Sequence, residues 1–116
     1  MTPDHLSTSF DHIKTCQDVF THTVKVAGQN KAFGTRYPQV QKDGTVRFGE
    51  YKWVTYSQAN QDRIHFGAGL AKLYEKEVVD KQDCWFLGLF SVNRYEWVIA
   101  EYGAGYYGIP TVFDFL

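Results

Sequence analysis

Three glycines near the end of the printed sequence have the spacing most suggestive of chemistry: Gly103, Gly105 and Gly108. They match the G-x-G-x-x-G pattern that brings a dinucleotide pyrophosphate against the backbone at a helix N-terminus. That chemistry requires the glycines to follow a strand and to open a helix. Here they close a predicted helix and precede a predicted strand, so we do not predict a dinucleotide site. We interpret them as small residues that let the helix end approach the sheet closely and then end the helix.

A second candidate is the loop of residues 91–94, which follows a predicted buried strand at the edge where open α/β sheets bind ligands. Asn93 and Glu96 have the spacing of an N-cap and an N3 residue, which favours a structural role. Arg94 places a cation in the first helical turn, against the helix dipole, and therefore needs a partner. Asp62, Glu96 and a ligand anion are the alternatives that the sequence leaves open.

The other reactive residue types form no catalytic constellation. Four histidines are spread along the chain: His5, His12, His22 and His65. They have no metal-ligand spacing with each other or with a cysteine, and none adjoins a nucleophile. Cys16 and Cys84 are expected to be reduced packing residues. We predict no catalytic, cofactor-binding or metal-binding residue in these 116 residues.

Composition excludes several classes of protein. With 12 basic and 13 acidic residues and a net charge of -1, the chain has no electrostatic footprint for nucleic acid. No apolar run approaches the roughly 20 residues of a transmembrane helix, and the N-terminus lacks a secretory signal. Hydrophobic residues make up 44% of the chain, enough for a folded core. We expect an intracellular protein that is soluble or peripherally bound to a membrane.

The first half of the chain predicts one helix and a small antiparallel unit. Residues 1–9 are expected to be frayed, and a helix to run from about Ser9 or Phe10 to Ala27, with Gly28 as its stop. A strand is predicted over residues 31–37. The pair Asp43-Gly44 predicts a tight hairpin turn, with residues 51–55 as the returning strand.

A second helix should begin at Tyr56, because Thr55 and Gln58 have the spacing of a capping box. Gly67 and Gly69 inside it indicate close helix packing. Its inward stripe is predicted to be Ala59, Arg63 by its stem, Phe66, Leu70 and Leu73.

The second half of the chain predicts a strand–helix–strand crossover. A charged connection over residues 75–83 leads to an unbroken apolar run, residues 84–90, as expected of a strand buried on both faces. A helix with Trp97, Ala100 and Ala104 as its apolar stripe follows, and then a new strand near Val112. Such a crossover is the minimal piece of a parallel sheet. We therefore predict an α/β fold, incomplete in this chain.

Five blocks of sequence together resemble the N-terminal region of long-chain acyl-CoA synthetases, which are AMP-forming adenylating enzymes. In chain order the blocks are residues 30–36 (NKAFGTR), 42–46 (KDGTV), 49–56 (GEYKWVTY), 66–70 (FGAGL) and 88–101 (GLFSVNRYEWVIAE). The resemblance extends over residues 10–112 and makes residues 1–116 a partial AMP-dependent synthetase domain. It departs from the family at residues 113–116, a divergent tail.

The resemblance implies a two-step ligase whose substrates are a fatty acid, ATP and CoA. The carboxylate attacks ATP to give an acyl-adenylate and pyrophosphate, with Mg²⁺ neutralising charge, and the CoA thiol then displaces AMP. In the family the phosphate loop, the fatty-acid tunnel and the catalytic lysine lie downstream, so the resemblance assigns no site residue and no cofactor to these positions. It also suggests a location at the peroxisome or the endoplasmic reticulum.

An alternative function is a non-catalytic interaction module or decoy derived from a synthetase. The last predicted strand leaves an exposed sheet edge and an apolar tail, which favour self-association. The tail consists of Ile109, Val112, Phe113, Phe115 and Leu116. The sequence alone does not decide between an inactive piece of a ligase and such a module.

Overall fold

A computed structural model describes residues 10, 12–77 and 85–114 of the chain. Three helices and six strands follow one another in these residues. They are α1 (Cys16–Ala27), β1 (Lys31–Thr35), β2 (Pro38–Val40), β3 (Val46–Phe48), β4 (Lys52–Thr55), α2 (Tyr56–Glu77), β5 (Leu87–Phe90), α3 (Tyr95–Tyr106) and β6 (Thr111–Asp114). No helix in the described ranges has both the length and the apolar character to cross a bilayer.

The strands pair in three two-stranded sheets, which give the mixed α/β structure that the sequence predicts. β1 pairs with β4 and β2 with β3, both antiparallel. β5 and β6 are parallel and are joined by α3, as expected of the crossover. The predicted antiparallel pairing of the strand that begins at residue 31 with the returning strand of residues 51–55 is confirmed by β1 and β4. The assignment of the Asp43-Gly44 turn to this pair was wrong, because that turn joins β2 to β3. Gly44 has a φ of 80°, which a residue with a side chain rarely adopts.

Capping boxes set the start of the first two helices. At α2 the predicted box is present, because Gln58 N donates to Thr55 Oγ1 at 3.2 Å and Thr55 N donates to Gln58 Oε1 at 3.1 Å. The predicted start of α1 near Ser9 or Phe10 was wrong, since the helix begins at Cys16. There Thr15 and Asp18 form a second box, with Asp18 N donating to Thr15 Oγ1 at 3.1 Å.

The core lies where the three helices meet the β1–β4 sheet. Phe20, Ala59 and Ile99 are its buried apolar centre. Arg63 is buried with them at 1% exposure, so the predicted stripe of α2 is correct at Ala59 and Arg63. It fails further along the helix, because Phe66 is 39% and Leu73 is 52% exposed.

Two glycines allow α2 and α3 to cross closely. A side chain at Gly103 would place its Cβ 2.7 Å from the carbonyl oxygen of Arg63, and one at Gly67 would meet the carbonyl of Gly103 and the ring of Tyr107. Close packing is thus confirmed for Gly67, whereas Gly69 has open space around it. The expectation that the glycines of α3 face the sheet was wrong at Gly103, since its neighbour is α2.

The parallel pair is more exposed than predicted. Along β5 and β6 half-buried residues alternate with exposed ones, so β5 is not covered on both faces by the described residues. Phe90 is 61% and Val112 is 53% exposed. The radius of gyration is 18.4 Å, compared with roughly 13 Å for a compact domain of about this length.

Several sequence predictions concern residues outside the described ranges. These are the frayed segment 1–9, His5, Cys84, most of the connection 75–83 and the end of the tail 113–116. Cys16 is described and is exposed, so its predicted role as a packing residue was wrong.

Candidate functional site

A cleft lies between the end of β1 and the start of α3, beside the loop that follows β5. Its volume is about 410 Å³. The residues that line it include Thr35 and Arg36 from the β1 side and Asn93, Arg94 and Tyr95 from the α3 side. The structure therefore brings Asn93 and Arg94 of the predicted loop to a concave surface, as the position after a parallel strand suggests.

Arg94, which lines this cleft, forms a bidentate ion pair with Glu96. Arg94 Nε donates to Glu96 Oε2 at 2.7 Å, and Arg94 Nη2 donates to Glu96 Oε1 at 2.8 Å. The hydrogen bonds from Arg94 lower the pKa of Glu96 to about 2, and the same pairing raises the pKa of Arg94. The sequence left Asp62, Glu96 and a ligand anion as possible partners of Arg94, and in the structure Arg94 pairs with Glu96.

The prediction that Asn93 and Glu96 cap α3 was wrong. The N-cap is Arg94, whose backbone is extended at a φ of -156°, and no side chain accepts a hydrogen bond from the first turn there. The helix starts one residue later than predicted, which places Glu96 beside the Arg94 side chain instead of over the N-cap amide. The first turn of α3 still carries an acidic residue, which the helix dipole favours.

Tyr95 lines the cleft and connects α3 to α2. Its hydroxyl donates to Asp62 Oδ2 at 2.6 Å, and its ring lies 5.5 Å from that of Phe33 on β1. Burial, followed by the hydrogen bond to Asp62, raises the pKa of Tyr95, so the phenol remains protonated at ordinary pH. Asp62 was predicted only as a partner for Arg94, and Tyr95 was not predicted, since no local spacing connects residues 62 and 95.

Arg36, which follows β1, lines the opposite side of the cleft. Its Nε donates to the carbonyl of Gly49 at 2.8 Å, and its Nη2 donates to that of Phe48 at 2.9 Å. The guanidinium also lies 5.6 Å from the ring of Tyr51, so the side chain fixes the β2–β3 hairpin against β1. A second open cleft of about 590 Å³ lies on this side of Arg36. The guanidinium groups of Arg36 and Arg94 are thus both engaged in contacts within the chain.

The glycine motif occupies the position that the sequence predicts. Gly103 and Gly105 lie in the last turns of α3, and Gly108 follows the helix with a φ of 72° before β6 begins. The amide of Gly108 donates to the carbonyl of Gly105 at 3.1 Å. These glycines end a helix, which is the opposite arrangement to a dinucleotide site.

The next feature is the arrangement of the residue types that bind metal ions: His, Cys, Asp and Glu. Within residues 10, 12–77 and 85–114, no set of three or more His, Cys, Asp or Glu side chains could hold a metal ion. Two histidines, His12 and His22, do meet, with Nε2 of the first 3.2 Å from Nδ1 of the second. Their separation along the chain gave no sign of this contact.

Comparison with known proteins identifies the family of these residues. The peroxisomal long chain acyl-CoA synthetase 7 of Arabidopsis thaliana is 37% identical over 110 residues, which are 95% of this chain and 13% of that protein. The sequence belongs to the long-chain acyl-CoA synthetase family, as a segment of it. The peroxisomal acyl-CoA ligase 891 of Penicillium roqueforti is 31% identical over 96 residues, 83% of this chain and 13% of the relative. Long-chain-fatty-acid–CoA ligase 6 of Homo sapiens is 29% identical over 111 residues, 95% of this chain and 14% of the relative.

The chain spans about 13% of the length of the acyl-CoA synthetases that it matches. No family model matches it. No solved structure matches it either. The family assignment therefore rests on the curated acyl-CoA synthetases, which match nearly the whole of this chain.

Proposed function

We propose that residues 1–116 are the N-terminal part of the large domain of a long-chain fatty acid–CoA ligase. The observation that carries the proposal is the 37% identity to an Arabidopsis thaliana long chain acyl-CoA synthetase over 95% of the chain. The β5–α3–β6 crossover also supports it, because a parallel pair is a unit of a larger sheet that needs cover on both faces. The segment contributes scaffold, with α3 held on α2 through Gly67 and Gly103.

The whole enzyme would join a fatty acid to CoA. A fatty carboxylate attacks ATP to form an acyl-adenylate and release pyrophosphate, and the CoA thiolate then attacks the acyl carbon and releases AMP. Fatty acid, ATP and CoA are the proposed substrates, and the names of the matched relatives support the peroxisome as the place of reaction.

The described residues do not fit the Mg²⁺ that this chemistry uses. Mg²⁺ prefers several oxygen ligands in octahedral geometry. Around the β1–α3 cleft the carboxylates are already engaged, Glu96 with Arg94 and Asp62 with Tyr95. We derive no catalytic step through these side chains, and we propose that the isolated chain is inactive.

Thioester formation tests the proposal. Fatty-acid-dependent acyl-CoA synthesis with ATP, Mg²⁺, CoA and palmitate is measured for the 116-residue chain and for a chimera of the Arabidopsis thaliana synthetase 7 whose matched 110 residues are replaced by those of this chain. A deletion of the same segment is the control. We expect activity only in the chimera. Activity of the 116-residue chain alone would overturn the proposal that the isolated chain is inactive. A soluble chimera that is as inactive as the deletion would overturn the proposed scaffold role.

A second candidate function is a non-catalytic module that binds a full-length synthetase. The exposed apolar side chains of the parallel pair, Phe90 and Val112, favour it. If this function is correct, adding the purified chain to a full-length synthetase lowers acyl-CoA formation in a saturable way. An unchanged rate at an excess of the chain would leave only the first candidate.

A further inference from the structure

The side chains of two histidines, His12 and His22, are in contact near the first helix. His12 lies in the segment that precedes α1 and His22 lies in its second half, and their nitrogens Nε2 and Nδ1 are 3.2 Å apart. The ring centroids are separated by 4.9 Å and the ring planes are inclined at 49°. His12 is exposed and His22 is half-buried, so solvent reaches the pair.

His12 and His22 are not neighbours on one helix face, because His12 precedes α1, so the fold of the chain must bring their rings together. The Thr15–Asp18 capping box fixes the entry of the chain into α1, and Asp18 Oδ2 also accepts from the amide of Lys14 at 3.0 Å. A turn in which Ile13 N donates to the carbonyl of Phe10 at 3.0 Å folds the preceding segment back. The ring of Phe10 then lies 5.9 Å from His12 and 6.3 Å from His22, beside both imidazoles. These contacts hold both rings in place.

The separation of the two nitrogens equals the distance between two ligands on one tetrahedral metal ion. With Zn–N bonds of about 2.0–2.1 Å, nitrogens 3.2 Å apart subtend an angle of about 103° at the metal, close to tetrahedral. Without a metal ion the same two nitrogens form a hydrogen bond, in which the tautomers decide which ring donates.

We propose that His12 and His22 form a two-ligand site for a divalent metal ion of the zinc type. Neutral imidazole suits Zn²⁺, whereas Mg²⁺ prefers oxygen ligands and does not bind there. Because no third His, Cys, Asp or Glu of the described residues joins the pair, water completes the coordination. The site is distinct from the proposed ligase chemistry and does not depend on it.

Zinc binding to the full chain, prepared without a polyhistidine tag, tests the site. Competition against a chromophoric chelator measures the Zn²⁺ affinity of the wild type and of the variants His12→Ala, His22→Ala and His65→Ala. His65 is the matched control, because it is an exposed histidine on α2, away from the pair. Each of the first two substitutions should weaken binding by about tenfold or more, since each removes one of the two ligands, and His65→Ala should leave it unchanged. Mg²⁺ should not compete.

Imidazole nitrogen shifts in the wild-type protein provide a second readout that needs no variant. On addition of zinc chloride, the ¹⁵N resonances of His12 Nε2 and His22 Nδ1 should move together and saturate at one equivalent. Equal zinc affinity in all four proteins, or zinc-induced shifts confined to other nitrogens, would overturn the proposal. Circular dichroism of the alanine variants checks that they keep the helical content of the wild type.

Discussion

The guanidinium of Arg63 lies 4.6 Å from the ring centroid of Phe20, in the middle of the three-helix contact. Its Nη1 donates to Gln17 Oε1 at 2.6 Å and its Nη2 to Thr21 Oγ1 at 3.1 Å, both on α1, and its Nε donates to Asn60 Oδ1 at 2.9 Å on α2. In the described residues no carboxylate pairs with it, and burial lowers its pKa. The charge is held by neutral acceptors and aromatic rings, so Arg63 is a structural centre of this segment.

Arg63→Ala should lower the free energy of unfolding by about 3 kcal/mol, because it leaves three polar side chains without their donor and opens a void beside Phe20. Urea unfolding followed by circular dichroism measures this. The matched control is Arg47→Ala, an exposed arginine on β3, which should change stability by no more than about 0.5 kcal/mol. If both variants unfold at the same urea concentration, Arg63 is not the centre that its contacts indicate.

The crossing of α2 and α3 gives a matched pair of glycine substitutions on one helix. Gly67→Ala should destabilise the chain by about 1–3 kcal/mol, because the new methyl group would overlap the backbone of α3 at Gly103. Gly69→Ala should stabilise it by up to about 1 kcal/mol, since its Cβ meets nothing within 4 Å and alanine favours the helix. Thermal melts of the two variants should therefore shift in opposite directions. A shift in the same direction for both would contradict the close crossing.

Much of the secondary structure could be predicted from local signals, whereas the contacts between elements could not. The box of Thr55 and Gln58 located the start of α2, and the apolar run before Phe90 located β5. The equivalent T-x-x-D signal at Thr15 and Asp18 was present in the sequence but missed, because an apolar spacing before it suggested a longer helix. The pairing of residues 31–35 with residues 52–55 was predicted, but the β2–β3 hairpin between them was not, because turn chemistry at Asp43 and Gly44 does not report which strands the turn joins.

The site contacts were harder to predict for the same reason. Arg94 was correctly described as needing a partner, and Glu96 was among those named, because the two lie two positions apart. Tyr95 and Asp62 are on different helices, so only the fold brings them together. The exposure of β5 was not predicted, because an unbroken apolar run normally marks a strand with a layer on each face.

The Arg94–Glu96 pair predicts a specific dependence of stability on pH. The pKa of Glu96 in the folded chain is about 2, below its ordinary value of 4.5, so the pair stabilises the fold fully above pH 4.5. That contribution is lost as the pH falls from 4.5 toward 2, when the folded state has to take up the proton. In urea unfolding between pH 6 and pH 2, Glu96→Gln should therefore show a shallower loss of stability than the wild type.

The control for the pH series is Glu75→Gln, an exposed glutamate in the last turns of α2. It should keep the wild-type slope between pH 4.5 and pH 2. Because the Arg94 and Glu96 side chains are 56% and 63% exposed, added salt should weaken the effect of the pair. A wild-type slope in Glu96→Gln at low salt would show that the pair does not contribute to the stability of the fold.

The parallel pair of β5 and β6 should make the chain associate with itself. β5 and β6 bond only to each other within the described residues, which leaves the outer edge of each strand unpaired there, and Phe90 and Val112 are exposed on them. An unpaired edge beside apolar side chains is a template for pairing with a second copy. Light scattering after size-exclusion chromatography should show concentration-dependent assembly of the wild type. Val112→Lys should reduce it, because a charge on an edge strand opposes pairing, whereas Val40→Lys on the separate β2–β3 hairpin should not. A wild type that stays monomeric and melts cooperatively over the same concentrations would show that these edges do not pair, and the exposed apolar surface would then need another explanation.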